Sequence, residues 1–199
     1  MSLNIQGLRF HNLPPFDLTI EPGTIVTLSG PSGVGKTLFL RAIVDLDCNE
    51  GEVLLNDMSR SQMHAPAWRQ QVGFLPAESS WWMDTVVDHF ATAAKAPLTE
   101  LGLQPEALQW QVARLSSGER QRLALARLLA QQPKALLLDE PTANLDQTNI
   151  ERVESLLKHY VHDQQIPTIW ISHDLKQCQR IGQRHFDIDS SGLQESPWT

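Results

Sequence analysis

The chain has 199 residues, a length that suits one domain, and its 41% hydrophobic content is sufficient to bury a full core. A formal net charge of −7 argues against a nucleic-acid-binding protein, which usually carries a basic patch. No apolar stretch approaches the roughly 20 residues that span a bilayer, and no signal peptide is recognisable, so we expect a cytoplasmic protein.

The first elements in chain order are short strands near Asn4–Phe10 and Asp17–Ile20, followed by a β-branched run at Thr24–Ser29. The motif GPSGVGKT comes next, at residues 30–37, and a helix is predicted from Leu38 to Val44. This order of strand, glycine-rich loop and helix is the context in which the pattern G-x-x-x-x-G-K-[ST] binds nucleotide phosphates.

Each position of this phosphate-binding loop has a chemical role. The glycines lack a Cβ, so the backbone can curl with its N–H groups facing inward. Lys36 would contact the β- and γ-phosphates, and the Thr37 hydroxyl would hold Mg²⁺. An ordinary glycine-rich turn is the alternative. The predicted nucleotide-binding positions of the loop are Gly30, Pro31, Ser32, Gly33, Val34, Gly35, Lys36 and Thr37.

The middle of the chain predicts two more strands and a helical region. Glu52–Leu55 and Val72–Leu75 have the composition of strands. Between Trp81 and Arg114 the pattern becomes helical and irregular. We therefore expect a short helical subdomain at roughly residues 79–130.

A second motif, LSSGER, lies at residues 115–120. By itself it describes a capped helix start, with Ser116 as N-cap and Glu119 three residues later. The helical run RQRLALARLLAQQ follows and ends before Pro133.

The next run, Ala135–Leu138, predicts a buried strand that delivers Asp139 and Glu140 at its tip. Open α/β sheets bind ligands at such tips. The rest of the chain alternates helix and strand, which predicts a mainly parallel sheet covered by helices. These elements are helices at 148–161 and 175–181 and strands at 168–172 and 184–188.

These motifs, in this order, resemble the ATP-binding cassette (ABC) ATPases over nearly the whole chain. GPSGVGKT resembles the Walker A motif, LSSGE the family signature and LLLDE the Walker B motif. Asn144–Asp146 resembles the D-loop, and His173 in ISHD resembles the switch histidine. The resemblance implies one ABC ATPase domain over residues 1–199. Its expected fold is α/β, a P-loop NTPase core with a mainly parallel sheet, a small antiparallel β subdomain and a short helical subdomain.

The resemblance also assigns roles to individual residues. Asp139 would hold Mg²⁺ together with Thr37, Glu140 would polarise the attacking water, and His173 would contact the γ-phosphate of ATP. In this family the signature of one subunit caps the ATP bound by another, which implies a head-to-tail homodimer. The signature positions are Ser116, Ser117, Gly118 and Glu119, and Asp146 is the D-loop aspartate.

Two positions leave alternatives open. Phe10 matches the aromatic residue that stacks on adenine in the family, but it could be a core residue, with His11 in its place. At the Q-loop, where the family has a glutamine, this chain has Ala77 followed by Glu78. Either Glu78 takes over after a shift of one residue, or the contact with Mg²⁺ and water is missing.

The pair Trp81-Trp82 lies where the family's transmembrane subunits insert a coupling helix; packing inside the helical subdomain is the alternative. The predicted function is the Mg²⁺-dependent ATPase subunit of an ABC transporter, acting on a separate permease at the cytoplasmic face of the inner membrane. The resemblance is to small bacterial cassettes such as metal-efflux or haem-export ATPases. The alternatives are a soluble ABC ATPase and an ATP-dependent switch module, which Ala77 favours.

Overall fold

The computed structural model describes residues 1–10 and 13–198, which form two β-sheets with helices packed against them. The strands are β1 (Leu3–Arg9), β2 (Phe16–Ile20), β3 (Ile25–Ser29), β4 (Glu50–Leu55), β5 (Met58–Ser59), β6 (Val72–Leu75), β7 (Ala135–Asp139), β8 (Thr168–Ile171), β9 (Arg184–Asp189) and β10 (Gly192–Glu195). The helices are α1 (Lys36–Ile43), α2 (Ala65–Gln71), α3 (Ser117–Ala130), α4 (Gln147–Gln164) and α5 (Leu175–Ile181).

The larger sheet has six strands in the order β10-β9-β3-β8-β7-β6. All neighbouring pairs are parallel except β10 with β9. Every residue of β3, β7 and β8 is buried, as expected for parallel strands that are covered on both faces. Because these three strands are neighbours and run in the same direction, the loops that follow them meet at one edge of the sheet.

The smaller sheet is antiparallel, with four strands in the order β2-β1-β4-β5. Burial alternates along β2, so one face of this sheet is packed and the other is exposed. The predicted mainly parallel sheet and the small antiparallel sheet are both confirmed. The sequence prediction missed α2, β5 and β10. The strands β5 and β10 have only two and four residues, and α2 has a proline in its first turn.

The segment before α3 is less helical than its composition indicated. Within the described residues 79–116, every helix is of the 3₁₀ type, and α3 supplies the α-helical part of the predicted subdomain at 79–130. Short 3₁₀ turns suit a segment in which prolines remove backbone donors. These turns are Val86–His89, Ala93–Lys95, Pro105–Gln109 and Val112–Arg114.

Within the described part of the chain, no helix has both the length and the apolar character that crossing a bilayer requires.

Candidate functional site

The loop between β3 and α1 has a backbone that only glycine adopts easily. Gly30, Gly33 and Gly35 have φ angles of 148°, 80° and 111°, and L side chains rarely occupy this region. At Gly30, an added Cβ would lie 2.2 Å from the Ile188 carbonyl oxygen. Gly35 is the N-cap of α1, and no side chain of the described residues caps this helix start. The first N–H groups of α1 and its positive dipole end therefore remain available to an anion.

Lys36 is buried beside this loop, with 7% of its surface exposed. Its Nζ donates hydrogen bonds to the carbonyl oxygens of Gly30, at 2.8 Å, and Pro31, at 3.0 Å. Burial lowers the pKa of Lys36, and the nearby charges of Glu140 and Asp139 only partly oppose that shift. A desolvated ammonium of this kind binds an anion more strongly than one in bulk water.

The hydroxyl of Thr37 joins the loop to the tip of β7. It donates a 2.7 Å hydrogen bond to Oδ2 of Asp139, which is 3% exposed. Burial raises the pKa of Asp139, while the hydrogen bond from Thr37 and the charge of Lys36 oppose the rise. A hydroxyl and one carboxylate fit Mg²⁺, which usually takes one or two carboxylates together with phosphate oxygens and water. The described residues contain no cluster of three or more His, Cys, Asp or Glu suited to a metal.

Glu140 follows directly and has a left-handed backbone, with φ of 50°. This conformation costs a non-glycine residue about 1–2 kcal/mol. Its side chain lies 3.3 Å from His173, measured from Oε1 to Nε2. That contact is within ion-pair distance but lacks hydrogen-bond geometry, because the buried Oε1 has no hydrogen-bond partner in the described part of the chain. Glu140 Oε1 is thus a buried acceptor that contacts His173 and has no hydrogen-bond partner among the described residues.

The charge on Glu140 is costly where it lies. Burial raises the pKa of this carboxyl, the charge of His173 opposes the rise, and Asp139 adds to it. A carboxylate with a raised pKa is a better proton acceptor than one in water.

These segments share one open pocket of ≈ 380 Å³. It is lined by Ser32, Gly33, Gly35, Lys36, Thr37, Leu38, Ala77, Asp139, Glu140 and His173. Ala77 therefore lines this pocket, whereas Glu78 is exposed and outside the lining.

The second motif forms a capped helix start, the alternative that its spacing allowed. The Glu119 N–H donates to Ser116 Oγ at 3.3 Å, and the Ser116 N–H donates to Glu119 Oε2 at 2.9 Å. Ser117 is the first residue of α3. An added Cβ on Gly118 would lie 3.2 Å from the Asn144 carbonyl oxygen. As far as the described residues go, none of the four signature positions lines the phosphate-loop pocket of its own chain.

Asp146 is the N-cap of α4. Its carboxylate accepts hydrogen bonds from the Asn149 backbone at 2.9 Å and from the Asn149 side-chain amide at 2.7 Å. These bonds lower the pKa of Asp146. The Asn149 amide oxygen in turn accepts from Arg122 of α3 at 3.2 Å. The predicted D-loop and the helix of the second motif are therefore linked within one chain.

The prediction that Phe10 stacks on adenine is wrong for this structure. Phe10 is 3% exposed. Its ring packs 5.5 Å from that of Phe16 and 5.6 Å from that of Phe39, between centroids. Both neighbours belong to the core, so the ring has no open face for a base. His11, the alternative, lies outside the described residues.

The two adjacent tryptophans have different environments. Trp82 is 65% exposed, whereas Trp81 is half-buried. The Arg127 guanidinium lies over both rings, 4.6 Å from the centroid of Trp81 and 5.3 Å from that of Trp82. His89 Nε2 accepts hydrogen bonds from the backbone N–H groups of Trp82 and Met83, both at 2.9 Å. Neither His89 nor Arg127 belongs to a recognisable motif, and both reach the tryptophans only through the fold.

A surface pocket of ≈ 550 Å³ lies beside these tryptophans. Its lining also includes Val112, which precedes the second motif, and Arg120, the last residue of that motif. The surface is thus continuous with the start of α3.

Comparison with known proteins gives consistent matches. A protein family described as "ABC transporter" matches residues 13–143. The probable iron export ATP-binding protein FetA of Escherichia coli (strain K12) is 31% identical over 171 residues, covering 79% of this chain and 76% of FetA. The phosphate import ATP-binding protein PstB of Mycobacterium intracellulare is 33% identical over 211 residues, covering 93% of this chain and 73% of PstB.

The protein STAR1 of Oryza sativa subsp. japonica is 33% identical over 178 residues, covering 83% of this chain. The chain spans only about half of STAR1, at 51% of its length.

Solved structures share the fold. A bacterial Atm1-family ABC exporter with ATP bound has a TM-score of 0.83 and 24% identity, covering 98% of this chain and 38% of the exporter. The dimeric ATP-binding cassette MJ0796, bound to ADP and Pi, has a TM-score of 0.83 and 22% identity. The match covers 99% of this chain and 100% of the MJ0796 chain.

Proposed function

We propose that this chain, which belongs to the ABC transporter family, binds ATP with Mg²⁺ and hydrolyses it to energise a separate membrane permease. The observation that carries the proposal is the single pocket in which Lys36, Thr37, Asp139, Glu140 and His173 meet. Three loops that are distant in sequence supply these groups. Together they provide a phosphate cradle, oxygen ligands and an acceptor for a water proton.

The phosphates would lie on the backbone N–H groups of the loop at 30–37 and on the ammonium of Lys36. Thr37 and Asp139 would hold Mg²⁺, which neutralises charge on the β- and γ-phosphates when bound. Positioning and electrostatic stabilisation account for most of the catalysis of phosphoryl transfer.

Hydrolysis requires a water molecule to attack the γ-phosphorus while the bond from that phosphorus to the β–γ bridging oxygen breaks. The water proton would pass to the carboxylate of Glu140, whose raised pKa favours acceptance. His173 would hold the water and the γ-phosphate in line with the leaving oxygen. The products are ADP and inorganic phosphate.

A head-to-tail homodimer would complete the site. The signature positions 116–119 are exposed or half-buried and stand outside the phosphate-loop pocket in the described part of their own chain. The capping box at the start of α3 uses the N–H groups of Ser116 and Glu119. The N–H groups of Ser117 and Gly118 and the positive dipole end would suit a phosphate from another copy. Each dimer would then hold two ATP molecules at its interface.

The surface around Trp81, Trp82 and Met83 would receive the permease. Trp82 and Met83 are adjacent and 65% and 49% exposed, and contiguous exposed apolar side chains favour a surface for another protein. This surface would place the chain at the cytoplasmic face of the inner membrane. The similar proteins include a phosphate importer and a probable iron exporter by name, so the cargo and direction would follow from the permease.

An ATP-dependent switch is the second candidate, and the methyl group of Ala77 in the pocket favours it. An alanine side chain can neither coordinate Mg²⁺ nor form a hydrogen bond with water.

Phosphate release by the purified chain separates the two functions. We expect Mg²⁺-dependent release that rises steeply with protein concentration, as a dimer interface requires, and is lost in Lys36→Ala. Tight ATP binding with no release at any concentration, even in the presence of the permease, would establish the switch instead. Recovery of the chain with membranes only when the permease is co-expressed tests the partner.

A further inference from the structure

Behind the pocket, a buried polar cluster joins the loop that carries Glu140 to the loop that carries His173. At its centre is Gln177 of α5, which is 3% exposed. Its Oε1 accepts hydrogen bonds from Ser172 Oγ at 2.8 Å and from Thr142 Oγ1 at 3.2 Å. Ser172 immediately precedes His173, and Thr142 lies two positions after Glu140.

The other side of the Gln177 amide is anchored to α4. Its Nε2 donates to Glu154 Oε1 at 2.9 Å and to Thr142 Oγ1 at 3.0 Å. A carboxylate only accepts hydrogen bonds, so Glu154 determines which end of the amide is the nitrogen. All the donor and acceptor positions of the amide are thereby occupied.

Glu154 is itself held firmly. It is 4% exposed and accepts two hydrogen bonds from Arg180, at 2.7 and 2.6 Å. Burial alone would raise the pKa of Glu154, but the bonds from Arg180 and Gln177 outweigh it and lower the pKa. The cluster therefore has a rigid, charged base on α4 and α5.

The loops at the other end of the cluster need such support. Glu140 has the left-handed φ of 50°, which persists only where the surroundings impose it. Besides this cluster, the backbone bond from Glu140 N–H to the Ile171 carbonyl oxygen, at 3.1 Å, joins the two loops. The Ser172 hydroxyl also accepts from the Asp174 N–H at 3.1 Å, which shapes the turn around His173.

We propose that Gln177 is a positioning residue that holds the Glu140 loop and the His173 loop in the relative position that ATP hydrolysis requires. Its side chain makes its hydrogen bonds with Thr142, Ser172 and Glu154, so it acts through its neighbours and does not touch ATP. The role of Gln177 in turnover rests on the proposed ATPase function. The coupling of the two loops is a structural claim and does not depend on that function.

Two substitutions of Gln177 test the role. Gln177→Leu removes the amide and leaves its partners unpaired. Gln177→Glu keeps the shape but places a second carboxylate against Glu154. We expect kcat for ATP to fall about 10- to 100-fold in both, since small misplacements near reacting groups cost this much. The KM for ATP should change less than about twofold, because the phosphate loop is untouched.

The double variant Gln177→Glu/Glu154→Gln exchanges the two groups and keeps the charge of the cluster. It should recover most of the lost kcat if the contact between the two positions matters. The matched control is Gln183→Leu, just beyond the C-terminal end of α5, where the amide oxygen accepts from the Ile25 N–H at 2.6 Å. That control should lower stability slightly and leave kcat unchanged.

Backbone hydrogen exchange provides a second readout that does not depend on activity. In Gln177→Leu, exchange should accelerate at 140–143 and 172–174 together, while the loop at 30–37 keeps its wild-type rate. Unchanged exchange in these two loops, or a kcat no lower than that of Gln183→Leu, would overturn the positioning role. A wild-type chain without ATP turnover would instead reject the proposed function, and the exchange measurement would still decide whether Gln177 couples the loops.

Discussion

Thr37 Oγ1 lies 2.7 Å from Asp139 Oδ2, and this hydrogen bond joins two motifs that are 102 positions apart in the chain. It holds the start of α1 against the tip of β7. The two groups that would share Mg²⁺ are thus already paired before any ligand arrives, which reduces the reorganisation that binding requires.

Glu140→Gln should reduce ATP turnover by a factor of about 10² to 10⁴, because the amide cannot accept the proton of the attacking water. ATP binding should persist, since Lys36 and the loop are unchanged. Single-turnover phosphate release and equilibrium binding of a fluorescent ATP analogue measure the two effects. The exposed Glu100→Gln is the control; hydrolysis by Glu140→Gln at the control's rate would remove Glu140 from the mechanism.

Asp139→Asn should make the protein more stable and less active. Because burial raises the folded-state pKa of Asp139 above its usual value of 3.8, the charged form weakens folding at neutral pH and protonation relieves that cost. We expect Tm at pH 7 to rise by about 2–4 °C, or about 1 kcal/mol for a protein of this size. The difference from wild type should shrink as the pH falls through the folded-state pKa towards 3.8.

Calorimetric scans between pH 4 and 8 (on the order of ten conditions) measure this trend. In a Mg²⁺ titration, Asp139→Asn should need a Mg²⁺ concentration about tenfold higher for half-maximal turnover. The exposed Asp163→Asn should alter neither quantity. A Tm gain that stays constant over this range would contradict the assigned cause.

Mixing two inactive variants tests the head-to-tail dimer. Lys36→Ala disables the phosphate loop, and Gly118→Asp places a carboxylate where the signature would face phosphate. In a mixed dimer, one of the two sites combines the intact loop of one chain with the intact signature of the other. An equal mixture should therefore recover about one quarter of wild-type turnover, given random pairing in a symmetric dimer. No recovery above the separate variants would mean that both motifs act within one chain.

Trp82→Ala should lower the amount of the chain that is recovered with permease-containing membranes by about tenfold. An effect of this size is typical of an aromatic residue that is buried in an interface. ATP affinity should stay the same, because the tryptophan lies outside the phosphate-loop pocket. Met58, on the antiparallel sheet and 52% exposed, offers a matched apolar control as Met58→Ala. Equal loss of membrane recovery and ATP affinity in Trp82→Ala would indicate a folding defect rather than a contact.

Ala77→Gln should increase hydrolysis in the absence of the permease, because a glutamine amide there could reach the Mg²⁺ and water region that a methyl group cannot. We expect a change of several-fold in basal rate together with a shift in Mg²⁺ dependence, on the order of the effect of one positioning hydrogen bond. Steady-state assays with and without permease measure it. If neither quantity moves, the alanine has no active role, and Glu78→Ala shows whether the adjacent carboxylate substitutes for it.

Local sequence determined much of this protein. The glycines at 30, 33 and 35 allow the positive φ angles that the phosphate loop requires, and this preference is a local property of the residue. The five-residue run that ends in Asp139 is apolar enough to require burial on both faces. Both signals act over a few neighbouring residues, so this loop and the buried strand β7 could be predicted without the fold.

Tertiary structure alone decided which side chains meet. Phe10 matches a base-stacking position in sequence but is buried against Phe16 of β2 and Phe39 of α1. Gln177 belongs to no motif, and only the packing of α5 on β3 and beside α4 brings it to Thr142 and Glu154. Contacts between distant positions depend on the whole arrangement of layers, which periodicity and spacing along the chain do not encode.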